Sequence, residues 1–331
     1  YYFPSTGSWL LNRDFGWTLL NYFRLLIGLI PKLQLVRQII RTARKHQAKV
    51  IYTNTIYLLE GALAAKLLGI PHVWQVRELF DLDYYRYCIP KTHVVKILSW
   101  FSKTVVCNSY RTQTVIHHFV GNLEKATVIH NIVNPPAENL DIRTKLSLEK
   151  SCKTVCILGW ITPNKRIEDF ISVASQFSDP NIKFLIIGGF GGREAYNQKI
   201  NSLITQSPNR SNIIHTGILP DAVNYLSSID LLLCPCYTES FGRTVGEALA
   251  AGTPAIGIRD SATQELIQDG ISGYLVEKGD VETMTQQVKR LLSDEKERKK
   301  MGTKGKHFIE EIFSSDKILL LYQQLFKDVL S

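Results

Sequence analysis

Residues Thr238 to Pro254 read TESFGRTVGEALAAGTP. An apolar strand, Leu231 to Cys234, leads into this stretch, and the short helix it opens stops at Gly252. Glu239 and Glu247 bracket the turn with seven residues between them. A strand–loop–helix junction points backbone N–H groups that lack intrahelical acceptors, and the positive end of a helix dipole, at whatever lies in front of it. A diphosphate suits that place. The two carboxylates add one acceptor in the loop and one early on the helix, both suited to sugar hydroxyls.

Outward from this junction the chain alternates strand and helix. Upstream lie strands Thr154–Leu158, Lys183–Ile187 and Ile213–His215, with helices Ile167–Phe177, Ala195–Thr205 and Ala222–Ser227 between them; strand Ala255–Ile258 follows. The first part repeats the pattern with strands Val50–Asn54, His72–Val76, Thr104–Cys107 and Ala126–His130, and helices Leu58–Leu68, Val94–Phe101 and Tyr110–Val120. Pro135-Pro136 and the polar run to Lys150 read as a linker. Alternation with short connectors predicts parallel sheets covered by helices on both faces. Glu60 to Pro71 echoes Gly246 to Pro254: helix, glycine cap, proline, strand. Two doubly wound halves follow, with ligands beyond the carboxyl ends of the strands. That places Asn54, Arg77, Glu78, Asn131, Lys165, Gly188 and Glu239 at strand tips. Trp17–Leu29 and Leu33–His46 read as separate helical segments, the first a core or interfacial helix too short to span a bilayer.

The 331 residues allow two full cores, and 45% hydrophobic with 21% charged residues is an ordinary globular mix. The net charge of +9 is uneven: residues 1–140 hold 16 Lys+Arg against 7 Asp+Glu, and residues 141–331 hold 23 of each. The excess fits an anionic membrane surface or a phosphorylated lipid acceptor, or a merely solvated surface. No interleaved aromatic–basic motif marks a nucleic-acid binder. The six cysteines are scattered without zinc-ligand spacing and read as buried thiols in a reducing cytoplasm.

Residues 154–292 resemble the nucleotide-sugar domain of family 4 glycosyltransferases (glycosyl transferases group 1). The resemblance rests on ordered landmarks: Gly159 through Lys165, Gly188-Gly189, Gly217 with Asp221, Pro235-Cys236-Tyr237, the glutamate pair, Gly270 to Val276, and Gly279-Asp280 before a helix. It implies an α/β GT-B fold, two Rossmann-like doubly wound domains facing across a cleft. The expected divisions are 1–140 for the acceptor side, 141–310 for the donor side, and a C-terminal helix, 311–331, crossing back. The glycine-rich opening strand–loop of such a first domain is not seen, so that domain is expected to be an N-terminally incomplete copy or a natural short form.

The resemblance also implies roles. Glu247 accepts from ribose hydroxyls, and Glu239 faces the donor sugar as the catalytic carboxylate. The amides around Phe241, Gly242, Arg243 and Thr244 hold the diphosphate, Gly188 belongs to the donor site, and Lys165 neutralises the phosphates. Arg166 stands where the family usually has glycine, and Trp160 where many members carry a second phosphate-binding arginine; Arg166 or Arg243 is expected to supply that charge. Gln75 occupies the strand tip where members often place a histidine, with Arg77-Glu78 following. Gln75, Arg77 and Glu78 are the acceptor-side candidates, and a proton-transfer role falls to Glu78 or to the donor phosphate. Asp81-Leu82-Asp83 mimics a metal motif of another glycosyltransferase fold and reads as loop.

The implied activity is retaining, metal-independent transfer of a hexosyl unit from a nucleotide-diphosphate sugar to a glycan or lipid-linked acceptor, with no cofactor. The setting is cytoplasmic, with peripheral contact to the inner membrane face. Rival readings are a nucleotide-sugar epimerase, which needs more acid–base groups in the first half, and a non-catalytic nucleotide-sugar-binding subunit.

Overall fold

A computed structural model describes residues 10–12, 19–56, 58–79, 85–87, 96–97, 100–120, 123–191 and 194–331. The chain divides into two compact units, residues 1–130 with 319–331, and residues 131–318. Asp81-Leu82-Asp83, Cys88, Trp17 and half of the expected helix Val94–Phe101 lie outside the described residues.

In the first unit, β1 (Leu10–Asn12) pairs antiparallel with β4 (Tyr85–Tyr87). The main sheet is parallel in the order β2-β3-β5-β6: Ile51–Thr53, His72–Val76, Thr104–Cys107 and Ala126–Val128. All five residues of β3 are buried, as expected of a central strand covered on both faces. Helix α1 runs unbroken from Leu19 to Lys45 with Pro31 inside it. This corrects the expected division into two segments. Proline removes one donor and crowds the preceding turn, yet Leu35, Val36 and Ala43 are buried and α1 packs against α2 (Glu60–Leu68). Tertiary packing outweighs the local break. Helix α2 ends on Gly69 in the left-handed conformation, φ +67°, and α3 (Tyr110–Val120) completes the layer.

The second unit holds six parallel strands in the order β12-β11-β10-β7-β8-β9. In chain order they are β7 Lys153–Leu158, β8 Ile182–Ile187, β9 Ile213–Gly217, β10 Leu231–Leu233, β11 Ala255–Ile258 and β12 Gly273–Val276. Alternate side chains sort into two cores, one per face. Val155, Ile157, Phe184, Ile186, Leu231 and Leu233 pack against α5 (Ile167–Ala174) and α8 (Val281–Ser293). Cys156, Leu185, Ile187 and Leu232 pack with α7 (Arg243–Ala250) and the end of α9 (Glu295–Ile312). A period of two across continuous apolar runs is what a doubly covered parallel sheet requires.

The run from Pro135 to Lys150 is not the loose linker its polarity suggests. It contains α4 (Ile142–Lys145), capped by the Asp141 carboxylate, and Ile142 is fully buried. Arg143 donates Nε–H to Cys152 O at 2.7 Å and pairs with Asp230. Asp230 also accepts from Arg298 Nη2 at 2.9 Å and from the Thr154 amide at 2.8 Å. One carboxylate thus ties the entry segment, β7 and α9 together. Helix α6 (Glu194–Gln206) flanks the sheet. The last helix, α10 (Ser315–Leu330), begins in the second unit, and its residues from Leu319 onward belong to the first.

Candidate active site

At the carboxyl edge of the six-stranded sheet, the loop after β10 turns through Gly242 at φ +93°, the N-cap of α7. A Cβ there would approach Thr263, Leu266 and the Glu239 side chain at 3.2–3.5 Å, so a glycine both takes the positive φ and leaves room. Phe241 is buried, its ring edge-on to Phe313 with centroids 6.0 Å apart. Its side chain therefore anchors the loop in the core, and its backbone stays at the turn. The first intrahelical bond runs from Gly246 N–H to Gly242 O at 3.0 Å. The first-turn amides, including those of Arg243 and Thr244, have no acceptor within the helix and face the loop side.

Lys165 closes a short 3₁₀ turn, Pro163–Lys165, after β7. Its Nζ donates to Glu239 Oε2 at 2.8 Å, with both side chains largely buried. Burial disfavours the ammonium, but the Glu239 carboxylate outweighs it and holds Lys165 above the usual lysine value. Cys234 and Cys236 lie nearby as buried free thiols, and burial pushes Cys234 up to about 11. Both stay neutral near pH 7. A pocket of about 700 Å³ opens beside the pair, lined by Gly159, Trp160, Thr162, Asn164, Lys165, Phe190 and Gly191.

Gly188 closes β8 at φ +152°, where a Cβ would lie 1.9 Å from Gly159 O. The Gly159 amide donates to Ile187 O at 2.9 Å. The two glycines let the loops after β7 and β8 touch backbone to backbone.

The cations expected to stand in for the missing arginine are otherwise engaged. Arg166 sits at φ +53°, which explains why glycine is the easier residue there. Its guanidinium makes a fork to Asp169, Nη2–Oδ1 2.7 Å and Nε–Oδ2 3.0 Å, and lies 4.9 Å from the Tyr237 ring centroid. Tyr237 donates to the same carboxylate at 2.8 Å. Asp169 and Tyr237 were not among the expected site residues, although the three-residue spacing of Arg166 and Asp169 is a sequence signal for such a pair. Arg243 pairs with Glu247 at 2.9 Å across one turn of α7. Arg243 is 69% exposed and Glu247 only 14%, so the carboxylate is the fixed partner and the arginine is the one that can swing away.

In the first unit, Gln75 is not at an open strand tip. It is buried, accepts from Tyr52 Oη at 2.6 Å and donates to Tyr322 Oη on α10 at 3.0 Å. Phe326 stacks on Tyr322 and leans on Tyr52. Burial and the hydrogen bond with Tyr322 hold Tyr52 well above the usual phenol range. Gln75 therefore fastens the C-terminal helix to the sheet, a partner 247 residues away that no local pattern announces. Glu78 accepts from Thr55 Oγ1 at 2.6 Å, from the Arg77 amide at 3.0 Å and from the Ile56 amide at 3.2 Å. Arg77 reaches Asn54 Oδ1 at 3.4 Å. These residues share the carboxyl ends of β2 and β3, and Glu78 staples the loop.

Among the described residues, no three His, Cys, Asp or Glu side chains are grouped to hold a metal ion, and no helix is long and apolar enough to cross a membrane. Residues 139–308 match the family model described as glycosyl transferases group 1, and residues 16–136 match that of glycosyltransferase family 4. The chain belongs to the glycosyl transferases group 1 family. This glycosyltransferase is 26% identical over 313 residues to the N-acetyl-alpha-D-glucosaminyl L-malate synthase of Bacillus anthracis, covering 81% of this chain and 79% of that one. It is 32% identical over 158 residues to the alpha-galactosylglucosyldiacylglycerol synthase of Streptococcus pneumoniae, covering 44% and 41%. Among solved structures it is similar to Anabaena HepE in complex with UDP and glucose, with TM-score 0.77, 19% identity, and 89% and 80% of the two chains covered. The fold of this glycosyltransferase is thus GT-B, with its two parallel sheets as the two Rossmann-like halves.

Proposed function

We propose that this glycosyltransferase is retaining and metal-independent, moving a hexosyl unit from a nucleotide-diphosphate sugar to a glycan or lipid-linked acceptor in polysaccharide or glycolipid biosynthesis. The observation that carries the reading is the meeting of Lys165 and Glu239 at 2.8 Å beside the N-terminus of α7. An ammonium and a helix N-terminus supply positive potential for a leaving diphosphate. A carboxylate beside them suits the hydroxyls of the transferred sugar and the positive charge that develops at its anomeric carbon. Glu247, fixed near the start of α7, accepts from the ribose.

In the proposed reaction the acceptor oxygen bonds to the anomeric carbon on the face from which the diphosphate oxygen departs, so configuration is retained. The acceptor proton passes to the leaving phosphate oxygen. Glu78 already accepts three hydrogen bonds, which favours the phosphate over Glu78 as proton acceptor. The UDP and glucose of the Anabaena HepE structure support a nucleotide-sugar donor, and the name of the pneumococcal relative supports a lipid-borne acceptor. The surplus charge of residues 1–140 supports a cytoplasmic enzyme touching an anionic membrane.

The test is donor hydrolysis with a panel of nucleotide-diphosphate sugars. Slow release of free sugar of retained anomeric configuration, unaffected by chelator and abolished by Glu239→Gln, is expected. Donor binding with no turnover would instead identify a non-catalytic subunit. Failure to sediment with anionic vesicles at low salt would remove the membrane contact.

A further inference from the structure

Along the carboxyl edge of the six-stranded sheet, polar and apolar groups are segregated. Lys165 and Glu239 occupy the side of β7 and β10. Trp160, in the same loop after β7, and Ile218, after β9, are two large apolar side chains in water, 58% and 66% exposed, gathered over the end of β8. They meet over Gly189, where an added Cβ would lie 3.0 Å from Trp160 Cζ3 and 2.9 Å from Ile218 Cγ1. Glycine at 189 is what lets the two side chains join.

The backbone beneath them is fixed. The Ile161 amide donates to Gly189 O at 2.8 Å and the Gly191 amide to Ile161 O at 3.0 Å, bridging the loops after β7 and β8. His215 Nε2 lies 2.8 Å from Gly188 O, and its ring meets Phe190 edge-on at 4.9 Å. Trp160 and Phe190 line the same pocket as Lys165. Lys165 is the charged member of that lining, and Glu239 balances it. An indole on a rigid mount cannot neutralise a phosphate. It offers a flat, polarisable face, and a planar aromatic ring is its natural guest.

We propose that Trp160, continued by Ile218, is the platform on which the donor's nucleobase stacks. The assignment rests on the proposed function, with the diphosphate and sugar toward Lys165 and Glu239 and the base on the β8–β9 side. Stacking tolerates any base, so the platform supplies affinity and leaves the choice of base to other groups.

The test is calorimetric titration of the full chain with the tightest binder among UDP, GDP, ADP, CDP and dTDP, and separately with inorganic pyrophosphate. Trp160→Ala is expected to weaken the nucleotide about ten- to hundredfold and to leave pyrophosphate unchanged, and Trp160→Phe to restore most of the loss. Free nucleoside is expected to quench tryptophan fluorescence in the parent and not in Trp160→Phe, a readout that does not depend on the alanine variant folding. Equal loss of nucleotide and pyrophosphate in Trp160→Ala, or no loss of either, overturns the platform while leaving the glycosyltransferase reading in place. If no nucleoside diphosphate binds the parent, both fall together.

Discussion

The Lys165 ammonium donates to Glu239 Oε2 at 2.8 Å, joining the turn after β7 to the loop after β10. Each side chain satisfies the other in a largely buried place, so neither can be removed without stranding its partner. Lys165→Met is expected to destabilise the protein by about 2–4 kcal/mol in urea unfolding. Glu239→Gln should lower kcat by about a hundredfold or more in a donor-hydrolysis assay. Because Lys165 titrates above its ordinary value, the contribution of its charge is complete below about pH 10 and is lost as pH rises through the raised value. Melting temperatures of the parent and of Lys165→Met should therefore differ by a constant amount between about pH 6 and 9.

Acid sensitivity should come from His72. The ring is buried, bonded to Thr53 Oγ1 at 2.8 Å, and burial lowers its pKa from 6.5 to about 4. The unfolded chain takes up a proton near pH 6.5 and the folded chain does not. Stability from this group is intact above about pH 6.5 and falls by about 3 kcal/mol as pH drops to about 4. His72→Gln should flatten that part of the stability–pH curve measured by urea denaturation.

Asp230 should be a sensitive position in the second unit. Its carboxylate serves Arg143, Arg298 and Thr154 together. Asp230→Ala leaves two largely buried guanidinium groups without their counter-charge and should cost about 3–5 kcal/mol. Limited proteolysis should then cut within residues 131–150, the segment that Arg143 fastens down.

Arg166 sets backbone strain against its Asp169 fork. Arg166→Gly and Arg166→Ala both remove the ion pair, but only glycine adopts φ +53° without strain. The glycine variant should be the more stable by about 1 kcal/mol in thermal melts. Equal melting temperatures would show that the left-handed conformation carries no penalty here.

Much of the second unit was legible because its signals are local. Strand periodicity, the glycine at 242 and the spacing of Glu239 and Glu247 each act within a few residues. The path of α1 through Pro31 was not legible, since it depends on packing against α2. Nor was α4, whose polar sequence hides one buried isoleucine and one anchoring arginine. Arg166 and Arg243 looked like free cations in the sequence, and the fold gives each a carboxylate at hydrogen-bond distance.

The sequence by itself determined the alternating α/β class, the strand–loop–helix turn at Glu239 to Glu247 and the positions that must be glycine. These follow from side-chain periodicity and backbone sterics, which a residue carries wherever it is placed. Tertiary structure alone decided which charges meet. Lys165 finds Glu239 across 74 residues, and Gln75 finds Tyr322 across 247. Hydrogen bonds and ion pairs act over a few ångströms of space with no memory of chain separation, so only the completed sheets could bring these partners within reach.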